Sequence, residues 1–285
     1  VSDIPPQFAS YPRPTDPRQY SGPPAFRIEA ITEAWMIFKS DMATWVVIEL
    51  LMAFIGFLTQ LPGTVFAIMN TDHPAVLKTP TALALTGVFA LLSAGVVGVL
   101  QGGFYRVILG RMRLQYEGIL DIFKANGEGV KLILWSILLA LPSLAASTYY
   151  TVTAPVQTNP QNPFGEINSV LILLVVLLLI GLLLFPFFLT PLIIVDKKLS
   201  IGEAAALSWK TVTRSLGKAL AFYFCASVVS ALGIVACGIG ILFTLPLFSL
   251  SIAVAYRDHF MPPLASDGVT TNFEGPTPPS GTTAY

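Results

Sequence analysis

The sequence is short of charge. Of its 285 residues only 11% are Asp, Glu, Lys or Arg, and 16 basic against 16 acidic residues leave a formal net charge of +0. An ordinary soluble domain carries about 25% charged residues, so water cannot cover most of this surface. Neutrality also removes the basic excess that a chain binding nucleic acid relies on, and no nucleic-acid partner is expected. Cysteine is nearly absent. Cys225 and Cys237 both fall in apolar stretches; they are too few for a disulfide framework, have no metal-ligand spacing, and read as small packed side chains. Only two histidines exist, His73 and His259, far apart in the chain. No His-Glu-x-x-His, Cys-x-x-Cys, Gly-x-Ser-x-Gly or Walker-type Gly-Lys-Ser pattern occurs. Neither metal, cofactor nor catalytic residues are therefore expected. Residues 1–25, polar and rich in proline (Pro5, Pro6, Pro12, Pro14), lack the apolar core of a secretory leader. The spans themselves are expected to direct insertion.

What is present is oil-like sequence: 54% hydrophobic residues and a mean hydropathy of +0.72. A helix needs roughly 20 mostly apolar residues to cross ~30 Å of hydrocarbon. Six stretches meet that requirement or come close, at 44–69, 82–108, 132–153, 167–195, 219–237 and 238–256. The last two are divided at Cys237-Gly238-Ile239-Gly240, because one helix of their joint length would be about twice what a bilayer requires. The cations then fall to one side. Arg27, Lys39, Arg106, Arg111, Arg113, Lys124, Lys131, Lys197, Lys198, Lys210, Arg214, Lys218 and Arg257 all precede or follow spans on the same face, with only Lys78 opposite. Basic residues accumulate in cytoplasmic loops, which puts both termini in the cytoplasm. The expected organisation is a Pro-rich tail at 1–25, a six-helix transmembrane domain at 26–260, and a Pro-, Gly- and Thr-rich tail at 261–285, both tails disordered unless a partner orders them.

Three segments lead into spans at a spacing near 85 residues: Ile31 to Lys39, Tyr116 to Lys124, and Ile201 to Lys210. In the first, Ile28, Ile31, Trp35, Phe38 and Met42 recur at steps of three and four; in the third, Ile201, Ala205, Trp209, Val212 and Leu216 do so. Ser200 and Glu203 form a capping-box pattern at the start of the third. The fold expected is all-α: a polytopic bundle of about six transmembrane helices in three pseudo-repeated hairpins. Each hairpin would follow an amphipathic helix lying at the cytoplasmic interface.

The segment Glu203 to Lys210, of the Glu-Ala-x-x-x-Ser-Trp-Lys type, resembles that of bacterial multi-pass membrane families. So does a final span with central Pro246 ending in Ala255-Tyr256-Arg257-Asp258. The families are the uncharacterised DUF975-like group and the membrane domain of glycerophosphoryl diester phosphodiesterases. The resemblance, over about residues 25–260, implies a six-span protein of the bacterial cytoplasmic membrane with interfacial helices. It brings no catalytic residues, since the phosphodiesterase chemistry of that family belongs to a separate soluble domain.

Polar residues at membrane depth are the places to look for function. Glu49 could hold a proton, a cation or an amine headgroup; the blander reading snorkels it to the cytoplasmic boundary or pairs it with Lys131 or Lys218. Gln101, between small residues, reads first as an interhelical hydrogen-bonding group, and Gln60 is a weaker candidate. Pro62, Pro142, Pro186, Pro191 and Pro246 read as packing kinks. Arg106, Arg111, Arg113, Lys197 and Lys198 form a cytoplasmic rim for lipid headgroups. The leading expectation is a non-enzymatic membrane protein that organises lipid or serves as an accessory subunit. A transporter or channel for a small or amphipathic molecule is the alternative, and an intramembrane lipid enzyme comes last.

Overall fold

A computed structural model describes residues 26–70, 74–113, 115, 118–124, 127–153, 164–235 and 240–261. The expected tails therefore lie outside the described residues, Met261 apart. Among the described residues all regular structure is helical. The order is α1 (Glu29–Ser40), α2 (Met42–Met69), a short α3 (Pro74–Leu77), α4 (Pro80–Met112), a 3-10 turn (Ile119–Phe123), α5 (Gly129–Thr153) and α6 (Phe164–Leu184). A second 3-10 turn (Phe185–Phe187), α7 (Thr190–Lys197), α8 (Ile201–Arg214), α9 (Leu216–Val235) and α10 (Ile241–Phe260) follow. Six helical segments are long and apolar enough to cross a membrane: Met42–Met69, Pro80–Met112, Gly129–Val152, Leu171–Lys197, Leu216–Gly233 and Ile241–Phe260.

Two of the long helices start at their capping residues. The Asp41 side chain accepts from the Thr44 amide, and Thr79 with Pro80 opens α4, its hydroxyl accepting from the Ala82 amide. The fourth span is broken, because Phe185-Pro186-Phe187-Phe188-Leu189-Thr190-Pro191 sets two prolines where a continuous helix needs amide donors. The carbonyl of Pro186 is taken up by the Ser208 hydroxyl of α8 at 2.7 Å, so the break is sealed from within. Pro62, Pro142 and Pro246, by contrast, stay inside α2, α5 and α10.

Packing runs from α6 to α5, α4, α2, α10 and α9, each against the next, and α1 lies along α10. Polar contacts fasten neighbours: Ser230 and Thr244 each donate to the other's backbone carbonyl, and Ser93 meets both Thr59 and Gln60. Gln60 thus spends its amide on the α2–α4 contact. Burial concentrates at the basic end. Trp45 and Ile48 are the buried residues of α2, and α10 is buried from Pro246 to Tyr256 except at Phe248 and Ser249. Residues 171–183 of α6 are apolar and exposed on nearly every side, Leu178 at 71% and Leu183 at 69%. Lipid, not water, is the medium that tolerates such a surface.

The lead-in segments differ from one another. α1 turns Ala30, Glu33, Ala34, Ile37 and Phe38 inward and leaves Trp35 40% exposed; α8 buries Ala204, Ser208 and Val212 and leaves Trp209 47% exposed. Each helix turns one face to protein and leaves its tryptophan partly exposed. The second lead-in departs from the expected helix: its described part is one 3-10 turn. The Asp121 carboxylate accepts from the Gly118 amide at 2.6 Å and closes the turn. The turn packs so tightly that a Cβ on Gly103 of α4 would sit 1.8 Å from the Ile122 carbonyl oxygen.

Candidate functional site

The basic end of the bundle is a layer of paired charges. Arg27 donates to Asp258 at 2.6 Å and to Glu33 at 3.1 Å, while Arg257 donates to Glu33 at 2.5 and 2.9 Å and to Asp258 at 2.7 Å. Two guanidiniums and two carboxylates alternate, locking α1 to the end of α10. The hydrogen bond to Asp258 holds the Arg27 pKa above its usual value. Phe26, just before it, packs against His259, Phe188 and Phe222.

Beside this lock lies a cavity of about 260 Å³ between α4, Gln115 and Lys124 of the connection to α5, the start of α5 and the end of α7. One face of α4 supplies Gly102, Gly103, Arg106, Leu109, Gly110 and Arg113, residues at helical steps of three and four. Lys124 and Gln115 come from the loop after α4, Glu128 and Leu132 from around the start of α5, and Val195, Asp196 and Lys198 from around the end of α7. Four cations thus face two carboxylates. Asp196 accepts from the Tyr256 hydroxyl at 2.6 Å and pairs with Arg113. Glu128 pairs with Lys131 at 2.6 Å, and Lys131 also donates to the Lys198 carbonyl. Lys124 pairs with Asp121, and Arg106 donates to the Lys124 carbonyl at 2.9 Å.

The structure splits the rim read from the sequence. Arg106, Arg113 and Lys198 line the cleft together. Arg111 turns the other way, to Asp41 and over the Trp45 ring at 4.8 Å, and Lys197 stands over Phe260 at 5.8 Å. Arg106 and Arg113 share a helical face by their spacing of seven, which the sequence displays. Lys124, Glu128 and Asp196 join them only through folding.

Glu49 and Gln101 both act on a residue that sequence reasoning passed over, Gln101 by a hydrogen bond and Glu49 by its charge. Gln101 donates to the Tyr105 hydroxyl at 3.3 Å, and the electrostatic neighbours of that hydroxyl are Glu49, Tyr223 and Ser249. Tyr105 is 2% exposed, whereas Glu49 is half-buried and meets no cation among the described residues. Lys131, one of its expected partners, is held by Glu128 instead. An apolar tyrosine-bearing face gave no periodic signal to mark this grouping.

No group of three or more His, Cys, Asp or Glu side chains capable of holding a metal occurs among the described residues. No protein-family model, curated protein or solved structure matches this chain.

Proposed function

We propose that this protein is a non-enzymatic integral membrane protein of the bacterial cytoplasmic membrane that organises lipid at the inner leaflet, alone or as an accessory subunit of a larger assembly. The observation that carries the reading is the outward aspect of α1 and α8. Trp35 and Trp209 are about half exposed, beside Lys39 and Lys210, at the end where nearly all cations gather; the Lys39 ammonium lies 5.5 Å from the Trp35 ring. Aromatic rings with cationic neighbours suit the boundary between headgroups and acyl chains. On this reading α1 and α8 lie in the cytoplasmic interface, each ahead of a helical hairpin, while the described part of the second lead-in is the Ile119–Phe123 turn. Kinship with the DUF975-like group belongs to the same proposal.

The test is depth-dependent quenching. With Trp45 and Trp135 replaced by Phe, emission comes from Trp35 and Trp209. Lipids brominated close to the headgroup should quench it strongly. Quenching by aqueous acrylamide with none from brominated chains would sink the interfacial assignment. Purification in mild detergent followed by mass spectrometry separates the two forms of the proposal. A stoichiometric partner supports the subunit, and a lone monodisperse monomer leaves lipid organisation.

A second reading, a transporter or channel for a small or amphipathic molecule, draws on the grouping of Glu49 with Tyr105 and Gln101 at membrane depth. Flux in proteoliposomes that falls on Glu49→Gln favours it; flux indifferent to that change removes Glu49 from any coupling role.

A further inference from the structure

We propose that the cleft between α4, Gln115 and Lys124, the start of α5 and the end of α7 is a binding site for a phosphate group, carried on a lipid headgroup or free in solution. The charge arithmetic points to an anion. Arg106, Arg113, Lys124 and Lys198 line the cleft with Glu128 and Asp196, four cations to two carboxylates, although Lys124 is also paired with Asp121. Both carboxylates are already engaged, Asp196 by Tyr256 and Arg113, Glu128 by Lys131. A cation entering would meet repulsion and find no idle acid. The Lys198 ammonium meets no carboxylate among the described residues, and it stands at the rim. Several cations converging on one concavity suit a multiply charged oxyanion better than a single carboxylate.

The backbone at Lys198 is the second, independent observation. Its φ of 55° lies in the left-handed region and closes the C-terminus of α7. Glycine is the usual residue at that place because it carries no Cβ penalty. A lysine there accepts backbone strain in a conformation that directs its carbonyl to Lys131 and places its side chain at the cleft. Strain held at a cavity wall is what a binding residue accounts for. The wall is also mixed: Leu109, Leu132 and Val195 are apolar beside the cations. That composition fits a phosphoester, whose carbon side needs an apolar contact, and the site lies at the level where headgroup phosphates sit if this end faces the leaflet. Only the lipid source rests on that orientation; the phosphate chemistry does not.

The experiment uses the full chain in phosphatidylcholine nanodiscs. Phosphatidic acid is doped into the discs in one arm, and inorganic phosphate is added to undoped discs in the other. Thermal unfolding and native mass spectrometry report the gain in stability and the retained lipid. Lys198→Gly is the decisive variant because it removes the cation while relieving the left-handed strain, so its fold should survive. Lys78→Gln, at the opposite end of the bundle, is the control. Lys198→Gly should weaken binding by roughly fivefold, the share of one cation beside an anionic group, with unfolding in undoped discs unchanged or later. Stabilisation by phosphatidic acid alone assigns a lipid headgroup; stabilisation by inorganic phosphate as well assigns a free or soluble phosphate. No stabilisation in either arm, or equal losses for Lys198→Gly and Lys78→Gln, overturns the site. Quenching of Trp35 and Trp209 is read independently, so failure of the cleft and failure of the interfacial helices are told apart.

Discussion

Glu33→Gln is the most informative single change, because one carboxylate joins two elements far apart in sequence. Glu33 is 6% exposed, and its two oxygens accept from Arg257 at 2.5 and 2.9 Å and from Arg27 at 3.1 Å. Asp258 is the other anion of the four-membered ring. The substitution keeps the shape and one carbonyl acceptor but leaves two guanidiniums around a single carboxylate. Removing one partner of a fully buried ion pair costs about 3–5 kcal/mol. The Arg27 and Arg257 side chains keep 22% and 16% of their exposure, so water screens part of the imbalance and roughly 2–3 kcal/mol is expected. The assay is unfolding in mixed micelles, with Glu29→Gln, on the exposed first turn of α1, as reference. Adding Arg257→Gln to Glu33→Gln should restore part of the loss, since charge balance returns. A loss below about 0.5 kcal/mol, the level of an ordinary surface change, would refute the argument that this ring locks α1 to α10.

Gly103→Ala should destabilise by about 1–3 kcal/mol or more, because its Cβ would meet the Ile122 backbone carbonyl, which cannot rotate away. Gly98→Ala meets mainly the Ser136 side chain and should cost less in the same thermal unfolding series; a reversed order would count against the close approach of α4 and the turn. Ser208→Ala strands the buried Pro186 carbonyl and should cost about 1–3 kcal/mol, measured as lowered resistance to denaturant. At the start of α8, hydrogen bonds from the Ser200 hydroxyl and amide hold the Glu203 carboxylate below its usual pKa. A depressed folded-state value means a contribution fully present above the unfolded pKa of about 4.3 and lost as pH falls through the folded one. Amide protection at the first turn of α8, taken relative to the intrinsic exchange rate at each pH, should therefore fall under acid, and Glu203→Gln should flatten that dependence.

The sequence by itself determined the medium and the number of helices long and apolar enough to cross it. Length, hydropathy and charge bias are local quantities, and a run of twenty apolar residues can be counted without knowing its neighbours. The cap at Ser200 and Glu203 was legible for the same reason, being a contact across three residues. The separation of α9 from α10 was also legible from length, although residues 237–239, where the division was expected, lie outside the described residues. Tertiary structure alone decided which charges meet. The spacing of five puts Arg106 and Arg111 about 140° apart around one helix, but only folding gave the cleft to one side and Asp41 and Trp45 to the other. A helix apolar on all sides carries no stripe to say which side a neighbour will take. The break at Pro186 and Pro191 also became intelligible only when Ser208, on another helix, was seen to satisfy the freed carbonyl. Contacts between segments more than fifty residues apart, such as Arg113 with Asp196 or Glu33 with Arg257, depend on the order in which helices pack, and no periodicity along the chain encodes that order.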